Sequence, residues 1–281
     1  MKILLFGHRG MLGSDLLLQL GRKHEVTGLD KDEIDIVSLS QCKKAINESI
    51  PDIVINAAAY TDVDGCEKTK DKCFAVNADA VKNITESCRK NNIRIIHFST
   101  DYVFDGVSNE PYKEDHPCNP INVYGASKLA GERYLQELSD NYILIRTAWL
   151  YGKNGKNFVR TIIEKTRTTD RLEVVDDQIG SPTYTRDMAV AVDLLIERDI
   201  TGIFHITNRG SCSWFQFAKS ILQEAGITAV QVLPMKSDQL KRPALRPHYS
   251  VLSMQKFIQA TGKTMQPWQL ALQDYLQNMK H

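Results

Sequence analysis

No run of about eighteen apolar residues occurs in the 281-residue chain, so no membrane-spanning helix is expected. Charge of one sign is also missing, since 35 Lys and Arg stand against 34 Asp and Glu. A net charge of +1 leaves no large electrostatic footprint for nucleic acid or an anionic membrane, so neither is expected as a partner. The cysteines are Cys42, Cys66, Cys73, Cys88, Cys118 and Cys212, and none form Cys-x-x-Cys. No histidine pair stands at ligand spacing, which argues against a zinc site. The cysteines therefore read as reduced thiols of a cytoplasmic protein. The opening apolar run Lys2–Phe6 is cut short by His8 and Arg9, too early for a signal-peptide core. It reads as a buried first strand.

Strands and helices alternate along the first half. Lys2–Phe6 leads through Gly7 into a helical pattern from Met11 to Leu20, and Glu25–Leu29 is a second strand ending at Asp30. Ser38 is placed to cap a helix reaching Ser49, and Asp52–Asn56 follows Pro51 as a buried strand. A long helix is expected over Asp71–Asn91 and a strand over Ile93–Phe98. Another helix follows Pro120 to about Leu138, before a strand at Tyr142–Arg146. This alternation predicts an α/β fold: a Rossmann-type doubly wound parallel sheet covered on both faces.

Beyond about residue 150 the pattern loosens. Strands near Leu172–Val175 and Gly202–Ile206 alternate with helices near Arg186–Ile196 and Ser213–Ala225, and a last helix starts at Pro267-Trp268. Lys236–Ser250, rich in basic residues and proline, reads as an ordered loop. The expected division is a dinucleotide-binding domain over 1–148 plus about 182–202. A smaller α/β substrate-binding domain takes 149–181 and 203–281.

Gly7, Gly10 and Gly13 recur at a three-residue spacing between the first strand and the first helix. Glycine there permits a tight turn and lets backbone N–H groups approach a pyrophosphate at a helix N-terminus. Asp30 ends the second strand about twenty residues on, where an acidic side chain holds ribose hydroxyls and favours NAD. Arg9 and Lys31 pull the other way, because cations accommodate a 2′-phosphate. The choice between NADPH and NADH stays open at this level. Asp35-Ile36 reads equally as a flank of the adenine or as a plain loop. In Asn56-Ala57-Ala58-Ala59-Tyr60 the small residues fit either close ligand approach or a tightly packed strand end.

Tyr124 and Lys128 carry the strongest chemical signal. Four residues apart on a helix, they share a face. An ammonium near a phenol stabilises the phenolate and is expected to lower the Tyr124 pKa, which suits proton transfer. Ser99-Thr100-Asp101-Tyr102 ends the fourth strand, where open parallel sheets bind ligands.

Together the stretches Gly7–Gly13, PDIVINAAAYTDVD at 51–64, FSTDYVFDG at 98–106, VYGASKLAGE at 123–132, RTAWLYG at 146–152 and DQIGSPT at 177–183 are similar to the extended short-chain dehydrogenase/reductases. Within these the sequence most resembles the dTDP-4-dehydrorhamnose reductase family, along nearly the whole chain. Arg246–Ser250 adds a further echo.

The resemblance implies NAD(P)H-dependent reduction of the 4-keto group of a nucleotide-diphosphate sugar, in a pathway to a cell-surface polysaccharide. It implies Tyr124 as proton donor, Lys128 as its activator and ribose ligand, and Thr100 as the hydroxyl that tunes the centre. It places Asp101, Tyr102 and Trp149 near the sugar, with Thr100. It places Gly10, Met11, Leu12, Asp30, Asp35, Ile36, Ala59, Tyr60 and Thr61 at the cofactor. A pyrophosphate needs cations, and Arg246 leads the candidates Lys236, Lys241, Arg242 and Arg246. The family's usual Gln is Met11 here, and Thr-Ala-Trp replaces Thr-Ser-Trp at 147–149. Some relatives form a homodimer with magnesium at the contact, but no residues here can be mapped to that site.

Two rival readings stand beside this one. An epimerase of the same superfamily would return its hydride to the sugar. A non-catalytic regulatory subunit of methionine adenosyltransferase type would act as a partner protein. Tyr102 in place of an acidic residue after Asp101 argues against a dehydratase.

Overall fold

The computed structural model describes residues 1–279. Its frame is a six-stranded parallel sheet. Five strands come from the first half of the chain: β1 (Lys2–Phe6), β2 (Glu25–Leu29), β3 (Ile53–Asn56), β4 (Arg94–Thr100) and β5 (Tyr142–Thr147). The sheet order is β2-β1-β3-β4-β5, and the strand Gly202–His205 adds beyond β5. Strand order therefore reverses between β1 and β3, and that crevice is where open α/β sheets bind ligands.

Both faces of the sheet are covered, as near-continuous apolar strands require. Ile3 and Leu5 point to one side, with Ile53, Ile55, Ile96, Ile143 and Phe204. There they meet Leu12, Leu16 and Leu20 of α1 (Met11–Leu20) and Met188, Val192 and Leu195 of the helix Thr185–Glu197. Leu4, Phe6, Val54, Ile95 and Leu144 point the other way. They pack on Cys42 and Ile46 of α2 (Leu39–Ser49) and on Val81, Ile84 and Cys88. Ser38 caps α2 as expected, its side chain accepting from the Gln41 N–H.

Two local features depart from the expected pattern. A short helix, α3 (Val63–Lys68), follows β3 and is capped by Asp62. The helix expected over 71–91 is three segments: α4 (Lys70–Phe74), a π-helical turn at Ala75–Asp79, and α5 (Ala80–Arg89). Such turns insert a residue into the helical ladder and re-aim side chains. Here Asn77 is turned inward and buried. The helix α6 (Val123–Leu138) starts at Asn122, whose Oδ1 accepts from the Gly125 N–H at 2.7 Å.

The second half builds a separate apolar cluster from Tyr151, Val159, Leu172, Phe217, Ile221, Trp268 and Tyr275. The boundary expected at residue 203 cuts through the strand Gly202–His205, which belongs to the central sheet. Phe257 and Met265 also pack in that sheet's core. No helix among the described residues is long and apolar enough to cross a membrane.

Candidate functional site

At the reversal point lies a cleft of about 780 Å³. Of the expected cofactor residues, Gly7, Arg9, Gly10, Asp30, Asp35, Ile36, Ala59 and Tyr60 line it. Gly7 has φ +81, a conformation glycine adopts without strain. A Cβ there would come within 2.8 Å of Ala58 N, and one on Gly13 would overlap the Gly7 carbonyl oxygen. The loop is thus a cradle that side chains would fill, and it fits a dinucleotide pyrophosphate at the start of α1. Met11, Leu12, Gly13 and Thr61 do not line the cleft. Leu12 turns into the core beneath the sheet, so only its backbone is left to meet a ligand.

The rim of the cleft is acidic and already paired. Asp30 accepts from the Arg9 N–H at 3.0 Å and the Lys31 N–H at 2.8 Å. Partial burial works against its charge, yet these N–H groups hold its pKa below the usual carboxylate value. The Arg9 guanidinium lies 3.4 Å from Asp32 and 3.1 Å from Glu33. Asp35 accepts from the Val37 N–H at 3.0 Å, closing a turn. Tyr60 is held through its backbone: Asn77 Oδ1 accepts from its N–H at 2.8 Å, and Asn77 Nδ2 donates to its carbonyl at 3.0 Å. Asn77 Nδ2 also donates to Ser127 at 3.0 Å, tying the cleft wall to α6.

The expected reacting group lies where β4 ends against the first turns of α6. Thr100 donates to Asp101 Oδ1 at 2.9 Å. Asp101 is buried, and burial raises its pKa to about 6 against the hydrogen bond from Thr100. Burial, then the Asp101 charge, push the Tyr124 phenol up. The expected lowering by Lys128 is not what the geometry produces. The Lys128 Nζ lies 3.3 Å from His97 Nε2, and Lys128 is not among the groups that shift the Tyr124 phenol. Lys128 is itself buried, which lowers its pKa to about 8 against the pull of Glu132 and Cys73.

On the other side of Tyr124 stands Tyr102, the two rings edge to face at 5.9 Å. The Arg246 charge acts on the buried Tyr102 phenol. Arg246 also forms a two-pronged pair with Asp64, at 2.7 and 2.9 Å. The guanidinium is the main cause holding Asp64 below the usual carboxylate range. Arg242 approaches the same carboxylate at 3.6 Å, while Asn122 Nδ2 donates to the Leu245 carbonyl at 2.8 Å. The loop 236–250 is thus pinned over the start of α6, with Arg246 inside and Leu245 exposed. Trp149 adopts φ +48, an unusual backbone for a bulky residue. Its indole stacks on Trp214 with centroids 3.4 Å apart and lies against Gly180.

Sequence reading misses His97, Asn77, Asp64 and Trp214. A lone histidine in the apolar run Ile95-Ile96-His97-Phe98 is a visible signal for the first. The others are ordinary residue types whose partners lie far away in sequence. Among the described residues no group of three or more His, Cys, Asp or Glu side chains is arranged to hold a metal ion.

Comparison with known proteins places the chain among relatives of one family. The family model described as RmlD substrate binding domain matches residues 1–281. The chain is similar to the spore coat polysaccharide biosynthesis protein SpsK of Bacillus subtilis, at 39% identity over 98% of this chain and 97% of that one. It is similar in structure to a dTDP-4-dehydrorhamnose reductase from Clostridium acetobutylicum, with TM-score 0.97, 40% identity and complete coverage of both chains. A dTDP-4-dehydrorhamnose reductase from Bacillus anthracis, solved in complex with NADP, superposes with TM-score 0.95 at 38% identity, covering 99% of each chain.

Proposed function

The chain belongs to the RmlD substrate binding domain family, and on that premise we propose that it is an NAD(P)H-dependent reductase of a dTDP-4-keto sugar. Its substrate is dTDP-4-dehydro-L-rhamnose and its product dTDP-L-rhamnose, a precursor of cell-surface polysaccharide. The observation that carries the reading is one juxtaposition. The glycine cradle follows β1 and Thr100 ends β4, with β3 between them in one parallel sheet, and Asn77 ties the cleft wall at Tyr60 to α6, which carries Tyr124 and Lys128.

Bound nicotinamide supplies the hydride. The chain's own residues do the rest. Gly7, Gly10 and the first N–H groups of α1 cradle the pyrophosphate, and Asp30 takes the adenine ribose. Tyr124 keeps its proton in the resting protein, because burial and Asp101 both favour the neutral phenol. That is the state a proton donor needs when a carbonyl gains alkoxide character. A carbinol alkoxide is more basic than even a raised phenolate, so the transfer runs downhill. Thr100 orients the same oxygen, and Lys128 supplies positive charge beside the ribose. Asp101, Tyr102 and Trp149 face the sugar, and Arg246, held ready by Asp64, meets the diphosphate. NADPH is the favoured reductant, with NADH accepted. Magnesium and a homodimer rest on family resemblance alone.

The test is incubation with dTDP-4-dehydro-L-rhamnose and NADPH or NADH, following nicotinamide oxidation and identifying the sugar. One reduced nicotinamide should be consumed per sugar. Sugar interconversion without net oxidation would replace the reductase with an epimerase.

A further inference from the structure

We infer that Asp64 is a positioning residue for Arg246: it occupies the end of the guanidinium and leaves one side edge as a two-donor fork for the substrate's diphosphate. The inference rests on the nucleotide-sugar reading and adds which N–H groups are kept for the ligand and what keeps them. A guanidinium carries five N–H donors in a fixed plane. Arg246 Nη1 donates to Asp64 Oδ1 at 2.7 Å and to the Ala244 carbonyl at 2.6 Å, and Nη2 donates to Asp64 Oδ2 at 2.9 Å. These bonds use both hydrogens of Nη1 and the inner hydrogen of Nη2. The two that remain, on Nε and on the outer side of Nη2, lie parallel along one edge of the plane. Among the described residues Arg246 forms no further hydrogen bond. A parallel pair of charged donors is the pattern that takes two phosphate oxygens at once.

The loop that carries the fork is fixed from both sides. Asp64 Oδ1 also accepts from the Ala244 N–H at 3.2 Å, so the carboxylate holds the loop backbone as well as the side chain. The next carbonyl, of Leu245, accepts from Asn122 Nδ2 at 2.8 Å, and Asn122 stands two residues before Tyr124 at the start of α6. The fork is thereby set at a constant place relative to Tyr124. Its charge reaches the Tyr102 phenol, whose ring meets that of Tyr124 at 5.9 Å. Arg242 comes within 3.6 Å of the same carboxylate with its side chain half exposed. It adds charge without fixing a direction. A phosphate arriving at the free edge displaces nothing, because Asp64 holds the other end. The arginine is already ordered when the ligand comes, and that ordering would otherwise weaken binding.

The first measurement uses the unaltered protein with dTDP as the probe. In a ¹H–¹⁵N correlation spectrum, dTDP should shift the Arg246 Nε–H signal, and thymidine at the same concentration should not. A signal unmoved at saturating dTDP would overturn the proposal. The second is a double-mutant cycle read by calorimetric titration of dTDP. Arg246→Met should weaken binding roughly ten- to a hundredfold, the loss of hydrogen bonds from a charged group. Asp64→Asn keeps the shape but replaces one acceptor with a donor, which breaks the two-pronged pair. It should weaken binding by roughly three- to tenfold, the effect of one side chain left to be ordered by the ligand. In the Arg246→Met background the same substitution should change nothing further. An equal loss in both backgrounds would show a packing role only, and tighter binding in Asp64→Asn would show a carboxylate that repels the diphosphate. Either result overturns the proposal. NADPH affinity, unchanged in every variant, confirms that the cofactor cleft is intact. Failed turnover in a protein that binds dTDP in this way would count against the sugar assignment alone, whereas no binding of dTDP at all would overturn both readings.

Discussion

The rim of the cofactor cleft and the reacting centre are built from the same kinds of charged residue, yet water separates their behaviour. At the rim, Arg9 meets Asp32 and Glu33 with side chains 54%, 69% and 36% exposed. Exposed pairs of this kind contribute about 0–1 kcal/mol each and are screened by salt. In the centre, Lys128 and Asp101 are each 2% exposed. There burial carries Lys128 down to about 8 and Asp101 up to about 6. Beside them, Glu132 and Arg146 form a buried pair at 2.7 Å. The rim can be re-paired cheaply when a ligand arrives. The centre cannot, and each of its charges is held for one arrangement.

Substitutions in the two regions should differ by that logic. The largest effect is expected at Tyr124. Tyr124→Phe keeps the ring against Tyr102 but removes the proton, and turnover should fall about 10²–10⁴-fold with cofactor binding nearly intact. Steady-state kinetics beside a cofactor titration checks this, and near-normal turnover would remove Tyr124 from the reaction.

Next comes the buried pair. Glu132→Ala leaves the buried Arg146 without its paired carboxylate, which should destabilise the fold by about 3–5 kcal/mol. Urea unfolding measures it. A cost below about 1 kcal/mol would place the pair with the surface pairs of the rim.

Asp101 sharpens the comparison through pH. Its folded pKa is raised above the unfolded value, so between about pH 4 and 6 the folded state holds a proton that the unfolded chain has released. Stability from this group therefore falls as pH rises through that window, and the penalty is complete above it. Asp101→Asn should stabilise the protein by up to about 3 kcal/mol at neutral pH, with the gain vanishing below about pH 4. Thermal melts of both proteins across pH decide it, since a gain independent of pH would not come from this carboxyl.

The smallest effect is expected at the rim. Arg9→Ala should change the NADPH/NADH ratio of kcat/KM no more than about fivefold, because the guanidinium already has exposed acidic partners. A hundredfold change would mean that Arg9 leaves Asp32 and Glu33 for a 2′-phosphate, and the rim would then resemble the centre.

Much of this molecule is readable from local pattern. The apolar run Lys2–Phe6, the glycines at 7, 10 and 13, and Asp30 after β2 are contiguous signals, and the cleft they announce is lined by most of the residues expected there. The reading of α1 over Met11–Leu20 coincides with the helix, because periodicity and the preceding Gly10 both act within a few residues. The sixth strand's membership of the sheet is not local. Gly202–His205 could join either half until its pairing with β5 is seen.

The site divides in the same way. Tyr124 and Lys128 share a helical face because of a spacing that any helix imposes, and Thr100 stands at the end of a recognisable strand. The buried neighbour of the Lys128 Nζ is instead His97, thirty-one residues away on β4. The pairing of Arg246 with Asp64 spans 182 residues. The rise in the Tyr124 pKa, opposite to the expected lowering, comes from burial and from Asp101. Periodicity, turn chemistry and strand ends are short-range effects written in neighbouring residues. Burial and the partner of a charge are set by residues that only the folded chain brings together, and in a low-dielectric interior these decide the chemistry.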